Sequence, residues 1–196
     1  MGDKLSVGTL IQNGIQLALK NFVALIVNGI LFVLTIWIPY INIGTMIGMY
    51  TLPAKMGRDQ GISMTEIFDP ANRKFMGEFF LVLAFNTIGV LVGLALFYIP
   101  GIVIAIAWSL GILLVIDKKL DPIAALRKSN DLTYGNKWPI FLASLIPIVG
   151  LVVLVGIGNV IHQYLGAFLM LVGYIALFPV LLGIQAEIYR TLAKNV

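Results

Sequence analysis

The chain has 196 residues, of which 60% are hydrophobic and only 11% are charged; its formal net charge is +4 and its mean hydropathy is +1.00. A soluble domain carries about 25% charged residues, so this composition excludes a water-exposed globular protein and indicates an integral membrane protein. The apolar runs are continuous rather than alternating, which leaves helices as the spanning elements, and the lack of cysteine excludes disulfides and thiolate metal sites.

The first third of the chain predicts an amphipathic helix followed by a hairpin. Residues 5–20 place apolar side chains on one face and polar ones on the other, with Ser6 as the N-cap. This pattern is typical of a helix that lies in the membrane plane. Two spans follow at about 22–38 and 43–56, joined by a turn at 39–42. The second is short enough to be a re-entrant helix instead.

The middle third predicts the same arrangement. Ser63 and Glu66 have the spacing of a capping box, so a short helix should begin there, with Ile67 and Phe68 facing the lipid. Spans three and four follow at about 75–97 and 102–116, with a turn at 98–101.

Small residues at a spacing of four mark two of these spans. Glycines in this pattern let helix backbones approach closely inside a membrane. The predicted helix-packing residues are Gly44, Gly48, Gly89 and Gly93.

The last third begins with the longest polar stretch of the chain, residues 121–138. Asp121 suits an N-cap, Pro122 suits the first helical position, and Gly135 suits a left-handed residue after the helix. Trp138 is a typical membrane-interface anchor. Spans five and six are predicted at about 139–157 and 167–188, separated by a loop at 158–166.

Charge divides these segments into two sets. The turns at 39–42, 98–101 and 158–166 contain no Lys, Arg, Asp or Glu, and all 13 Lys and Arg lie at the opposite ends of the spans or in the tails. The positive-inside rule therefore predicts a cytoplasmic (inner) membrane protein whose termini and charged loops are cytoplasmic. The expected fold is a single all-α domain over 1–196, with about six spans in three hairpins, each preceded by an in-plane amphipathic helix. This threefold recurrence of an amphipathic helix and a hairpin is either a true internal triplication or the ordinary pattern of a protein with an even number of spans and cytoplasmic loops.

The polar stretch also carries a family resemblance. The residues that carry it are Pro122, Ala125, Leu126, Ser129, Leu132, Gly135, Asn136 and Trp138. Their pattern resembles that of the YciC-like and glycerophosphodiester-phosphodiesterase membrane-domain families. Asn130 departs from this pattern, because these families commonly place a large aromatic residue there. The resemblance implies a membrane domain without the separate catalytic domain of the phosphodiesterases, and therefore no phosphodiesterase activity.

Few residues in the spans suggest chemistry. The acidic candidates, Glu78, Asp117 and Glu187, all lie near the charged ends, where local pairing explains them; an enzyme would need all three around one water-filled cavity. His162 is on the opposite side from the serines, so no Ser-His pair is expected. We therefore expect no enzyme activity, no catalytic residues, no metal, no cofactor and no nucleic-acid partner.

Basic residues beside the membrane predict contact with anionic lipid headgroups. The candidates for this contact are Lys118, Lys119, Arg127, Lys128 and Lys137. Two functions remain open. The first is an accessory or scaffold subunit that packs with other membrane proteins or with itself. The second is a lipid- or amphiphile-handling protein with a cavity open to the inner leaflet.

Overall fold

The computed structural model describes residues 4–196, and this part of the chain contains helices and no strand. Two short 3₁₀ helices, Glu66–Phe68 and Pro70–Phe75, lie between the third and fourth α-helices. The α-helices are α1 Val7–Lys20, α2 Phe22–Thr35, α3 Ile41–Gly57, α4 Met76–Leu96, α5 Tyr98–Ala107, α6 Gly111–Lys118, α7 Pro122–Thr133, α8 Lys137–Ile161 and α9 Gln163–Leu192.

Four helical stretches are long and apolar enough to cross a membrane: Pro70–Leu96, Tyr98–Lys118, Lys137–Ile161 and Gln163–Leu192. A fifth is reached only if α1 and α2 are taken together, and these two helices are bent by 77°. α3 has 17 residues and is not among the candidates. The described chain thus has the length and apolar character of a multi-pass membrane protein, with four or five candidate spans; the six-span arrangement stays a prediction.

The packed core lies near the charged ends of the helices. Phe79 of α4, Leu113 of α6 and Ile184 of α9 are fully buried there, where α1 and α3 also contribute side chains. At the opposite ends of the helices, the apolar side chains are not covered by protein: Trp37 is 85% exposed and Val160 is 89% exposed. Since these ends are apolar, hydrocarbon rather than water is the environment that suits them.

α1 forms where the sequence predicts a helix, and the face that carries Leu10, Gly14 and Leu17 is covered by protein. A Cβ added to Gly183 of α9 would lie 2.0 Å from the Gly14 carbonyl oxygen, and one added to Gly14 would lie 2.8 Å from the Ile184 Cα. The two backbones therefore touch, and Leu10 and Leu17 are buried beside this crossing. Ser6 is in the N-cap position, but its side chain makes no capping hydrogen bond.

The stretch Tyr98–Lys118 is apolar but is not one continuous helix, since α5 ends at Ala107 and α6 begins at Gly111. The Ser129 hydroxyl, on α7, donates to the Ala107 carbonyl oxygen at 2.7 Å and accepts from the Leu110 N–H at 3.1 Å. Ser129 is fully buried. α7 thus supplies hydrogen bonds that the interrupted helix cannot make within itself.

The other predicted residues of the polar stretch 121–138 explain where α7 begins and ends. The Asp121 carboxylate accepts from the backbone N–H groups of Ile123 and Ala124 at 2.9 and 3.2 Å, and Gly135 has φ 79°. These are the N-cap and the left-handed residue expected from the sequence. Trp138 is exposed, with its ring edge-on to Phe141 at 6.0 Å. Pro122, Ala125, Leu126, Ser129 and Asn136 are buried and Leu132 is half-buried.

The segment after α3 differs from the prediction. The Ser63 N–H donates to the Glu66 carboxylate at 3.1 Å, but 3₁₀ helices follow rather than an α-helix, so the second hairpin is not preceded by an amphipathic α-helix. Ile67 is buried, not turned toward lipid, because the Asn28 side chain accepts its N–H at 3.1 Å and Gly48 lies against its Cα. Phe68 is exposed.

The predicted loop at 158–166 is also wrong. α8 continues to Ile161 and α9 begins at Gln163, so His162 alone separates the two helices. Gly158 and Gly166 allow this tight reversal, since a Cβ on Gly158 would lie 3.2 Å from the Gly166 Cα. Glycine here permits helix contact rather than marking a loop.

Candidate functional site

A polar cavity of about 450 Å³ lies where the ends of α3, α6 and α9 meet. Four cationic side chains and one carboxylate line it, so its charge is predominantly positive. We call it the basic cavity, and its charged residues are Arg58, Asp117, Lys118, Arg190 and Lys194.

Asp117 holds the three helices together at this cavity. Its side chain is only 2% exposed, forms an ion pair with Arg58 just after α3, and accepts a hydrogen bond from the Tyr189 hydroxyl on α9. A buried carboxylate requires such partners, because desolvation strongly disfavours an unpaired charge. From the sequence, the adjacent Lys118 and Lys119 were the expected neighbours of Asp117. The ion pair with Arg58 could not be predicted from local spacing, because Arg58 is distant in the sequence.

The other cations of the cavity are less constrained. The Lys118 ammonium donates to the backbone oxygen of Val196 at 2.7 Å, and Arg190 lies 3.7 Å from Asp59 in a half-exposed pair. Such exposed pairs contribute little stability. Lys194 lines the cavity and forms no ion pair or hydrogen bond with the described residues. Lys194 is thus the cation of the cavity that has no partner among residues 4–196, whereas Arg58 and Arg190 are paired with carboxylates.

Glu187 is buried but belongs to a different contact. Its Oε1 accepts from the Asn13 amide at 2.8 Å, which joins α1 to α9, and its Oε2 lies 4.0 Å from Arg190. Glu187 does not line the basic cavity, and Glu78 is exposed on α4. Glu78, Asp117 and Glu187, which an enzyme would require around one cavity, are therefore not brought together.

The five predicted headgroup contacts do not form one cluster. Lys118 lines the basic cavity, whereas Lys119, Arg127 and Lys128 are exposed. Lys137 donates to the Asn130 side chain at 3.1 Å and lies at a separate, mostly apolar groove of about 410 Å³ between α5 and α8.

The four predicted packing glycines contact different kinds of neighbours. Gly93 approaches the Cα of Gly101 on α5, and Gly89 lies against the ring of Trp108. Gly48 meets the 3₁₀ segment at Ile67, and Gly44 meets the Arg73 side chain. Gly93 therefore lies at a contact between two α-helices, Gly89 lies against the α5–α6 break, and Gly44 and Gly48 lie against the two 3₁₀ helices.

No group of three or more potential metal-ligating residues occurs within the part of the chain that the structure describes. Comparison with known proteins finds no matching family model, no matching curated protein and no matching solved structure. The family resemblance of residues 121–138 therefore stays a prediction.

Proposed function

We propose that this protein is a non-enzymatic, multi-pass protein of the cytoplasmic membrane that binds the anionic headgroup of a membrane amphiphile in the basic cavity. The observation that carries the proposal is the convergence of Arg58, Lys118, Arg190 and Lys194 on one half-open space with a single carboxylate. Guanidinium and ammonium groups are the usual partners of phosphate and carboxylate headgroups.

The position of the cavity along the helices supports a headgroup ligand. Lys118 is the last residue of the candidate span Tyr98–Lys118, and Arg190 is two residues before Leu192, which ends α9. Cations at the ends of spans lie at the level of lipid headgroups. The cavity volume of about 450 Å³ is also within the usual range of small-ligand sites, about 300–1,000 Å³.

A thermal-stability experiment tests this proposal. We expect phosphatidylglycerol added to the protein in mild detergent to raise its melting temperature more than phosphatidylcholine does, because only the former has a net negative charge. Lys194→Gln should weaken the phosphatidylglycerol effect about fivefold, since each Lys near an anionic surface contributes about 1 kcal/mol.

Lys74→Gln is the matched control, because Lys74 is exposed in the second 3₁₀ helix and does not line the cavity. It should leave the phosphatidylglycerol effect unchanged. Equal effects of the two lipids on the wild type, or a Lys194→Gln variant that responds like the wild type, would contradict the proposal.

The orientation and span number are part of the same proposal. The 77° angle between α1 and α2 suits a helix along the membrane surface followed by one that enters the membrane. If α2 and α3 cross as a further hairpin, the count becomes six and both termini share the cytoplasmic side with the basic cavity.

A second function, an accessory subunit that packs with other membrane proteins, is supported by α8. Only 11% of its most apolar window is buried within the described chain. Purification in mild detergent separates the two functions. A stoichiometric protein partner would favour the accessory subunit, and a bound anionic lipid without a protein partner would favour the headgroup site.

A further inference from the structure

A second, uncharged cleft of about 430 Å³ lies between α4, the α5–α6 break, α3 and α9. Five polar side chains line it, and no Lys, Arg, Asp or Glu does. We call it the neutral cleft, and its polar residues are Tyr50, Asn86, Thr87, Ser109 and Gln185.

The neutral cleft lies at a depth where water is scarce. Gln185 precedes Leu192, the end of α9, by seven residues, and Asn86 follows Met76, the start of α4, by ten residues. At about 1.5 Å per residue these polar groups are roughly 10–15 Å from the ends of their helices, with Glu187 only two residues after Gln185. That depth is within the near half of a hydrocarbon layer about 30 Å thick.

Most of these polar groups have no partner within the protein. The Asn86 Oδ1 atom is enclosed and accepts no hydrogen bond from the described residues, and exchanging the amide oxygen and nitrogen would leave the nitrogen in the same position. Tyr50, Thr87 and Gln185 also make no side-chain hydrogen bond within residues 4–196. An enclosed polar atom without a partner disfavours the folded state by about 1–3 kcal/mol.

Two polar residues elsewhere in the apolar segments do have partners. Asn28 donates to the Ala24 and Ser63 carbonyls and accepts the Ile67 N–H, and Ser144 donates to the Ile140 carbonyl at 3.1 Å. The other two enclosed side-chain oxygens without a hydrogen bond, Asp117 Oδ1 and Glu187 Oε2, each lie beside an arginine. A ligand in the neutral cleft would supply hydrogen bonds to Tyr50, Thr87 and Gln185.

The walls of the cleft define the ligand class. Leu83, Asn86, Thr87, Val90 and Leu91 share one face of α4, so the polar groups are bordered by aliphatic ones. We propose that the neutral cleft binds an uncharged amphiphile with a hydroxyl-bearing headgroup, which hydrogen-bonds to the polar groups that line the cleft and whose chain lies along the aliphatic wall. This inference concerns a different site and ligand class from the basic cavity.

Three probes with the same eighteen-carbon chain length test the headgroup: 1-monooleoylglycerol, methyl oleate and oleate. Binding is measured by thermal stability in an amine-oxide detergent, which itself carries no hydroxyl. We expect 1-monooleoylglycerol to raise the melting temperature, and methyl oleate and oleate to have at most a small effect. Equal effects of the three probes, or no effect of 1-monooleoylglycerol, would overturn the proposal.

Variants locate the site. Asn86→Leu should weaken 1-monooleoylglycerol binding about tenfold, because it removes the polar amide from the cleft wall, and Thr87→Val provides a nearly isosteric test if Asn86→Leu folds poorly. Ser144→Ala on α8 should bind like the wild type. An Asn86→Leu variant with unchanged binding would place the probe outside the cleft and overturn the inference. Loss of the phosphatidylglycerol response in Lys194→Gln is a separate result that bears only on the basic cavity.

Discussion

The hydroxyl of Ser129 provides the sharpest test of how the α5–α6 break is maintained. Ser129→Ala removes a fully buried group that donates to the Ala107 carbonyl and accepts from the Leu110 N–H. Each buried backbone group left without a partner reduces the free energy of unfolding by about 1–3 kcal/mol. The Thr133 hydroxyl, 3.4 Å from the Ala107 oxygen, partly compensates, so we expect a total loss of about 2–4 kcal/mol.

Unfolding by increasing dodecyl sulfate in mixed micelles, followed by circular dichroism, measures this loss. Ser144→Ala is the matched control, because the Ser144 hydroxyl donates only to the Ile140 carbonyl of its own helix. That variant should change the free energy of unfolding by no more than about 0.5 kcal/mol. If Ser129→Ala were as stable as Ser144→Ala, α7 would not be what satisfies the interrupted helix, and the reasoning would be refuted.

Three further predictions concern packing, surface charge and topology. Gly93→Leu should lower the melting temperature in detergent because its side chain would meet the α5 backbone, whereas Gly150→Leu, with nothing within 4 Å of its Cβ position, should not; equal melting temperatures would contradict the packing argument. Arg127→Ala combined with Lys128→Ala should weaken adhesion to anionic liposomes at low salt without changing the melting temperature. Unchanged adhesion would show that the exposed face of α7 does not contact lipid headgroups. Since the chain has no cysteine, single-cysteine variants report topology: His162→Cys should react with an impermeant thiol reagent outside intact cells and Lys128→Cys should not, and the reverse result would exclude the proposed orientation.

Local features of the sequence were sufficient for several elements. The continuous apolar run after Phe75 predicts α4, and the Asp121 cap, Pro122 and Gly135 predict the bounds of α7 to within a residue or two. These predictions succeed because each depends on the chemistry of neighbouring residues. The loop predicted at 158–166 failed because glycine in a membrane helix can mark close contact instead of an end, as Gly158 and Gly166 do.

The candidate sites were largely invisible to the same reasoning. The sequence places Asp117 near the charged end of an apolar segment, but the Arg58 and Tyr189 partners of Asp117 are distant in sequence. No spacing rule relates residues on separate helices. Gln185 likewise reaches the neutral cleft only because α9 packs beside α3 and α4.

The composition, together with the positions of the charged residues along the chain, was sufficient to predict an all-helical protein suited to a membrane. It was also sufficient to separate the charged loops and tails from the uncharged turns. Only the tertiary structure decided that α1 packs against α9, that α7 supplies partners to the α5–α6 break, and that four cations share a cavity with Asp117. The physical reason is the range of the forces involved. Apolar character and capping act over a few residues, whereas buried charges and interrupted backbones are satisfied by whichever distant groups the folded chain brings within hydrogen-bonding distance.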